Sequence, residues 1–322
     1  MIAMFEKIRV LWYSRDLDSE SPKKREKAVI ALGNVEHWRA ADLLVGMLKD
    51  ENEMVRGMAA YGLSNNGDER AVEPLIGMLS DSSKFVRANA AKALTDIGDE
   101  RVLGPLVELL KSDPENAMDV AYLLGKFGAP GIAVLRAALS GKESWARSAG
   151  AFGLAHASDS ASAPEIIGLL KDPDASVRAS AASALSSLHI VKAVEPLIPL
   201  LEDSDAKVRK QAIITLGRLR DVRAAERLIK IMAKGGEEGK DSVEALYWIG
   251  LPAVGALVAE SRRTHDIRML RAISTLLGEI DEKSRKKEHD FGVRETAVMR
   301  APPIPKEFRK LMLDATPVRA KV

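Results

Sequence analysis

The sequence predicts an all-α protein, an α-α superhelix built as a solenoid of about eight to nine two-helix repeats. Three observations carry this. A template recurs every 31 residues, apolar positions inside each copy follow helical spacing, and no strand-like alternation of any length occurs. A single pair of such helices cannot cover its own apolar faces, whereas stacking covers them.

Residues 1–18 begin with Ile2, Phe5, Ile8 and Trp12 at helical spacing, flanked by Met4 and Leu11. The expected role of this helix is to cap the open end of the stack, since terminal repeats need covering and its basic face is too sparse for a membrane surface. Glu6 and Lys7 interrupt the apolar run and no small-residue cleavage site follows, so the segment does not read as a secretory signal.

Residues 19–282 form the array. DENEMVRGMAAYGLSNNGDERAVEPLIGMLS from Asp50 and DSSKFVRANAAKALTDIGDERVLGPLVELLK from Asp81 align without gaps. The segments from Asp172 and Asp203 follow the same template. One arginine marks the register at Arg25, Arg56, Arg87, Arg147, Arg178 and Arg209, with Ala117 in the vacant place between Arg87 and Arg147. In the first helix of a unit, Val55, Met58, Ala59 and Leu63 make one apolar face. Asp50, Asp81, Asp172 and Asp203 precede these helices, where a carboxylate accepts orphan N–H groups and meets the positive helix end. Gly33, Gly125, Gly217, Gly250 and Gly278 are expected to close first helices as left-handed caps. Second helices carry proline in their first turn (Pro74, Pro105, Pro164, Pro196) and bury rows such as Val72, Leu75, Ile76 and Leu79.

These residues resemble the HEAT-repeat superfamily, in particular the short repeats of phycobilisome-lyase-like proteins. The resemblance rests on Asp50…Val55-Arg56, Asp81…Val86-Arg87, Asp172…Val177-Arg178 and Asp203…Val208-Arg209, and on Glu-Pro-Leu-Ile at 73–76 and 195–198. It implies a surface-supplying protein rather than one chemistry. Some similar proteins are enzymes. Deoxyhypusine hydroxylase-like repeats hold iron with His-Glu pairs, but here Glu36-His37 and Glu288-His289 are reversed and isolated. A bilin lyase-like or other small-ligand role stays open beside the scaffold, because that chemistry lacks a compact motif.

The repeated charges admit two readings. Each register arginine in four units follows an aspartate by six residues, and regular registration favours structural pairing between neighbouring repeats over anion binding. A second ladder runs Arg39, Arg70, Arg101, Lys192 and Arg223, with Asp42, Glu73, Gly104, Glu195 and Glu226 three residues on. An i,i+3 spacing neutralises each base on one helical face except Arg101, which faces Gly104 and is expected to be free. A nucleic-acid solenoid accumulates unpaired bases instead, so nucleic acid is a third, disfavoured reading.

The middle units break both ladders. Gly104 and Ala163 stand where acids are expected and Ala161 where a base is expected. Drift in a tolerant repeat explains this, and so does a partner groove; the groove reading puts partner binding at Arg101, Gly104, Ala161 and Ala163. Met54, Phe85 and Trp145 share one repeat position, as core filling or as an exposed apolar strip, and Trp145 joins the candidate set.

Residues 283–322 leave the repeat. They hold 11 Lys and Arg against 5 Asp and Glu, a net charge of +6, while residues 1–282 carry −4. Pro302, Pro303 and Pro305 extend this chain, and Phe308, Leu311 and Met312 make a short amphipathic helix expected to dock on the array or on another protein.

Composition narrows the function. With no cysteine, disulfides, thiolate metal sites and cysteine nucleophiles are excluded, and five scattered histidines form no ligand pair. No run approaches a membrane span, and the cytoplasm is the expected compartment. Neither a nucleophile beside a base nor a phosphate cradle is present, so no catalytic residue, cofactor or metal is assigned. The sequence therefore points to a noncatalytic scaffold or adaptor for a protein partner, recognising a peptide or helix on its repeat surface.

Overall fold

A computed structural model describes the backbone of residues 2–35 and 37–291, and the side chains of residues 6–285 apart from 36 and 66. In chain order, long first helices alternate with second helices. They are Pro22–Gly33 and Trp38–Met47, Glu53–Asn66 and Val72–Met78, Lys84–Ile97 and Leu103–Ser112, Ala117–Lys126 and Gly128–Ala138, then Ser144–His156 and Ala163–Gly168. Ala175–Ser187 and Val194–Leu197, Ala206–Leu219 and Ala225–Lys234, and Gly236–Ile249 and Val254–Arg263 continue the series. Ile2–Ser14 precedes these helices and Ile267–Phe291 follows them. No strand occurs among the described residues.

Two compact units divide the chain, with the boundary between Ser162 and Ala163. In the first, Pro22–Gly33 packs on Glu53–Asn66, which packs on Lys84–Ile97. In the second, Ala175–Ser187 packs on Ala206–Leu219, which packs on Gly236–Ile249. The apolar stripe of each first helix is buried as its spacing requires. Val55, Ala59 and Leu63 are fully buried, and so are Val86, Ala90 and Leu94, Val177, Ala181 and Leu185, and Val208, Ala212 and Leu216. Second helices contribute Leu44, Leu75, Leu106, Leu197 and Leu228. Each such leucine removed from water contributes roughly 1.5–3 kcal/mol. Alanine in the middle of the stripe lets helix axes approach, which explains a core with so few aromatics.

The expected glycine caps are corrected. Gly33 and Gly217 lie within helices, where a β-carbon would stand 2.7 Å from the Cα of Gly62 and of Ala245 respectively. They are close-approach glycines, needed because two backbones touch. Of the five, Gly250 is a positive-φ residue, at 74°. The left-handed residue that ends the first helix recurs at Gly67, Gly98, Gly128, Ser158, His189, Arg220 and Gly250. This position is spaced by 30 or 31 residues and filled by a non-glycine three times, which hides it from a search for glycine.

Helix N-termini also differ from expectation. The caps are Asn52, Ser83, Asp174 and Asp205, two residues after the aspartates named from the sequence. Asp50 and Asp203 instead accept the N–H of Asn52 and Asp205, which holds their carboxylates at the edge of the repeat.

The first helix rests on Pro22–Gly33 with Val10 buried, while Ile8, Leu11 and Trp12 are more than half exposed. The stripe through Ile8 and Trp12 therefore faces water, because the helix meets the first repeat through its Val10 side. The last helix, Ile267–Phe291, continues past residue 282. Phe308 and the proline segment lie outside the described residues. Among the described residues no single helix is long and apolar enough to cross a membrane.

Candidate interaction site

Three register arginines, Arg25, Arg56 and Arg178, link successive repeats through a two-pronged contact. Arg56 Nε and Nη2 donate to Asp81 at 2.8 and 2.9 Å, and Nη1 donates to the carbonyls of Asp50 and Glu51. Arg25 holds Asp50 at 2.7 and 2.9 Å, and Arg178 holds Asp203 at 2.7 Å through both prongs. The carboxylate partner is thus the aspartate 25 residues ahead, in the next repeat, while the aspartate six residues back offers its backbone carbonyl. Planar guanidinium against planar carboxylate makes this the strongest ion-pair geometry available. Arg178 donates to the Asp203 carboxyl and, against the cost of burial, holds it below the ordinary carboxylate value; Asp203 in turn raises Arg178.

The aspartate occupies a recognisable place. It stands two residues after a buried leucine just past the end of the second helix, as Leu48–Asp50, Leu79–Asp81, Leu170–Asp172 and Leu201–Asp203. After Leu110 that place holds Ser112. Arg87 therefore lacks the acid that Arg56 has. Its Nη1 still donates to the carbonyls of Asp81 and Ser82, but its buried Nε has no hydrogen-bond acceptor, and the Asp119 carboxylate stops 3.8 Å away. Arg209 shows the contrast, since Glu238 reaches it at 2.8 Å where the regular aspartate is missing.

At this break the Lys84–Ile97 and Ala117–Lys126 helices meet over a shorter stretch than neighbouring first helices do. The gap between them is a cavity of about 450 Å³. Leu79, Val120 and Leu123 supply apolar wall, Ala88 and Ala91 leave the room, and Tyr122 stands at the rim. Lys84, Arg87, Lys92 and Lys126 bring four positive charges to the lining against Asp96 and Asp119. Lys92 is paired with Asp96 at 2.5 Å, and Lys126 lies 4.9 Å over the Tyr122 ring. The cavity thus combines apolar walls, a surplus of positive charge and one guanidinium edge without an acceptor.

Around it, the first helices carry side chains rich in contact potential. Tyr61, Tyr122 and Phe152 occupy one repeat position, and Met54, Phe85 and Trp145 another. Met54, Tyr61 and Tyr122 are each about two-fifths exposed, with Met118 beside them, while Phe85, Trp145 and Phe152 are half-buried. Phe85 covers Gly57, and Trp145 keeps a buried indole N–H without a partner.

The second-helix candidates fare differently. Arg101 is not free: it bonds Asp99, two residues before it, and lies 3.5 Å from Glu69 of the preceding repeat. The i,i+3 pairing gives way to the same scheme elsewhere. Arg70 bonds Asp68 and Asp42, and Arg223 bonds Asp221 and approaches Glu195. The short 3-10 turn before each of these three second helices swings the arginine back toward its own cap, a geometry that continuous helical spacing misses. Gly104 is exposed with open space around it, and Ala161 is exposed. Ala163, by contrast, is buried, so it is not part of an opened ridge. Beside Ala161 the vacancy is filled: Arg136 reaches Asp159 at 2.8 Å and the Ser162 hydroxyl at 2.8 Å. Among the described residues no three His, Asp or Glu side chains converge as a metal set.

The sequence had signalled the cavity through Ala117, which marks the irregular unit. The decisive residue was Ser112, whose meaning depends on knowing that the arginine reaches forward 25 residues.

Comparison with known proteins agrees with this architecture. Residues 15–87, 59–125, 73–155 and 189–246 match the family model for HEAT repeats, and residues 163–191 match a second model for a HEAT repeat. No curated protein matches the sequence. Among solved structures, importin beta is similar with a TM-score of 0.59 at 13% identity, over 88% of this chain and 49% of that one. An engineered protein is similar at 20% identity with a TM-score of 0.44, over 95% and 92% of the two chains. The complex of CpcE and CpcF of phycocyanin lyase from Nostoc sp. PCC7120 is similar at 23% identity, over 82% and 93%, with a TM-score of 0.31. Importin beta shares the fold alone at that identity, and this chain spans about half its length.

Proposed function

The chain belongs to the HEAT-repeat family, and from that premise we propose that it is a noncatalytic adaptor whose first-helix face between Glu53 and His156 receives a protein partner. The observation that supports this reading is that Met54, Tyr61, Met118 and Tyr122 are all exposed on first helices of one compact unit, with Tyr122 at the rim of its cavity, in a chain that is only 4% aromatic. Tyrosine supplies large contact area at low entropic cost and is over-represented among the residues that carry binding energy, and methionine is enriched at interface cores. Tyr61 and Tyr122 share one register position, two repeats apart, and Met54 and Met118 stand at two others on the same first helices, so a helix or extended segment lying across several repeats gathers contributions from more than one of them. Nucleic acid is disfavoured because Arg70, Arg101 and Arg223 are held by acids on the second-helix side. Small-ligand handling has one supporting observation, the cavity itself.

Affinity capture on the immobilised full chain, read by quantitative mass spectrometry, tests the proposal. Proteins retained by the wild type should be lost with Met54→Glu/Tyr61→Glu and kept with Glu195→Arg on the second-helix side. Equal retention by all three, or none by the wild type, would sink it.

A further inference from the structure

We infer that the cavity between the Lys84–Ile97 and Ala117–Lys126 helices takes a carboxylate side chain of a partner peptide, flanked by an apolar side chain, and that Arg87 is the group that recognises it. The inference rests on the adaptor reading above and names the chemistry of its partner.

The molecule itself supplies the template. At Arg25, Arg56 and Arg178 the guanidinium edge holds an aspartate carboxylate through Nε and Nη2 at 2.7–2.9 Å. Arg87 presents the same edge, anchored by the same pair of carbonyl bonds, with Ser112 in place of the aspartate and its buried Nε without an acceptor. A buried donor left unpaired is costly, and an incoming carboxylate removes that cost while gaining a charge-assisted bond. Charge complementarity points to the same ligand, since the lining holds Lys84, Arg87, Lys92 and Lys126 against Asp96 and Asp119. Leu79, Val120, Leu123, Ala88 and Ala91 provide an apolar wall, which calls for an apolar group beside the acid. At about 450 Å³ the cavity holds two side chains and not a folded element.

Asp119 is the competing acid. Its carboxylate is 3.8 Å from Arg87 Nε and its side chain is 55% exposed, so it repels an incoming acid without satisfying the arginine. This makes a distinctive expectation. Removing its charge should strengthen binding, which a merely structural Arg87–Asp119 contact does not foresee.

The probe is a set of fluorescent dodecapeptide pools with randomised flanks and a fixed central Glu, Asp, Gln, Leu or Lys next to a fixed Leu, titrated against the full chain. The Glu or Asp pool should bind about tenfold tighter than the Gln pool, the scale of one charge-assisted hydrogen-bonded contact. Asp119→Asn should widen that preference, Arg87→Lys, which keeps the charge and loses the two-pronged edge, should narrow it severalfold, and Ala91→Trp, which fills the cavity, should abolish binding of the acidic pools. Octanoate is a separate arm. If octanoate binds and no acidic pool does, the site serves a free acid and the peptide assignment is overturned. Equal binding of the Glu and Gln pools, or a preference undiminished by Arg87→Lys, also overturns it. The adaptor reading is scored independently, because Met54 and Tyr61 do not line the cavity and their variants are read by partner capture.

Discussion

Replacing Arg56 and Arg87 separately by alanine isolates the value of the inter-repeat link. Both arginines extend along the same edge of a first helix, and both donate Nη1 to two carbonyls at its N-terminus. Those losses are common to the two variants. Arg56→Ala additionally removes the fork onto Asp81, whose side chain is 10% exposed, leaving that carboxylate with the Ser83 N–H. Breaking a fully buried pair costs about 3–5 kcal/mol, and the partial solvent access here places the loss nearer 2–3 kcal/mol. Arg87→Ala breaks no such fork and relieves an unpaired Nε, so its cost should be about 1 kcal/mol or less. The gap of about 2 kcal/mol is the quantity to measure. Urea unfolding followed by circular dichroism at neutral pH gives the overall loss. Hydrogen exchange at the first turn of Lys84–Ile97 reports local opening, which matters because stacked repeats need not unfold as one unit. Equal losses in the two variants would refute the assignment of the forward aspartate as the structural partner.

Three further outcomes are expected. Arg178 holds Asp203 below the ordinary value of 3.8, so the unfolded chain takes up this proton first as acid is added. The resulting stability is present above that value and is lost as pH falls through the folded one; Asp203→Asn should flatten the acid side of a plot of urea midpoint against pH. Gly217→Ala should lower the melting temperature, because the new β-carbon stands 2.7 Å from the Ala245 Cα and backbone cannot yield cheaply; about 1–3 kcal/mol is expected. Ser158→Gly should raise stability by about 0.5 kcal/mol, as relief of the left-handed backbone at φ 57° outweighs the added freedom of the unfolded chain; calorimetric melting checks the sign.

The site was less legible than the fold for a definite reason. A helix repeats its geometry every turn, so Val55, Ala59 and Leu63 declare a buried stripe without further information. Partner choice for a long side chain carries no such periodic signature. Arg56 has acids at 50 and 81 on either side in sequence, and only the stacking of the next repeat selects Asp81. The same ambiguity made Arg101 look free when Asp99 and Glu69 hold it. Ala163 looked open because its acid was missing, yet the residue is buried.

The 31-residue period, the two-helix unit and the irregular register at Ala117 were therefore determined by the sequence itself, because burial of an apolar stripe depends on spacing along one chain. The tertiary structure decided what that irregularity does. It set the first helices of the third and fourth repeats apart, left Arg87 Nε without an acceptor, and opened a cavity between them. Such a gap arises from how surfaces from distant residues fail to meet, and no single stretch of sequence contains both sides of it.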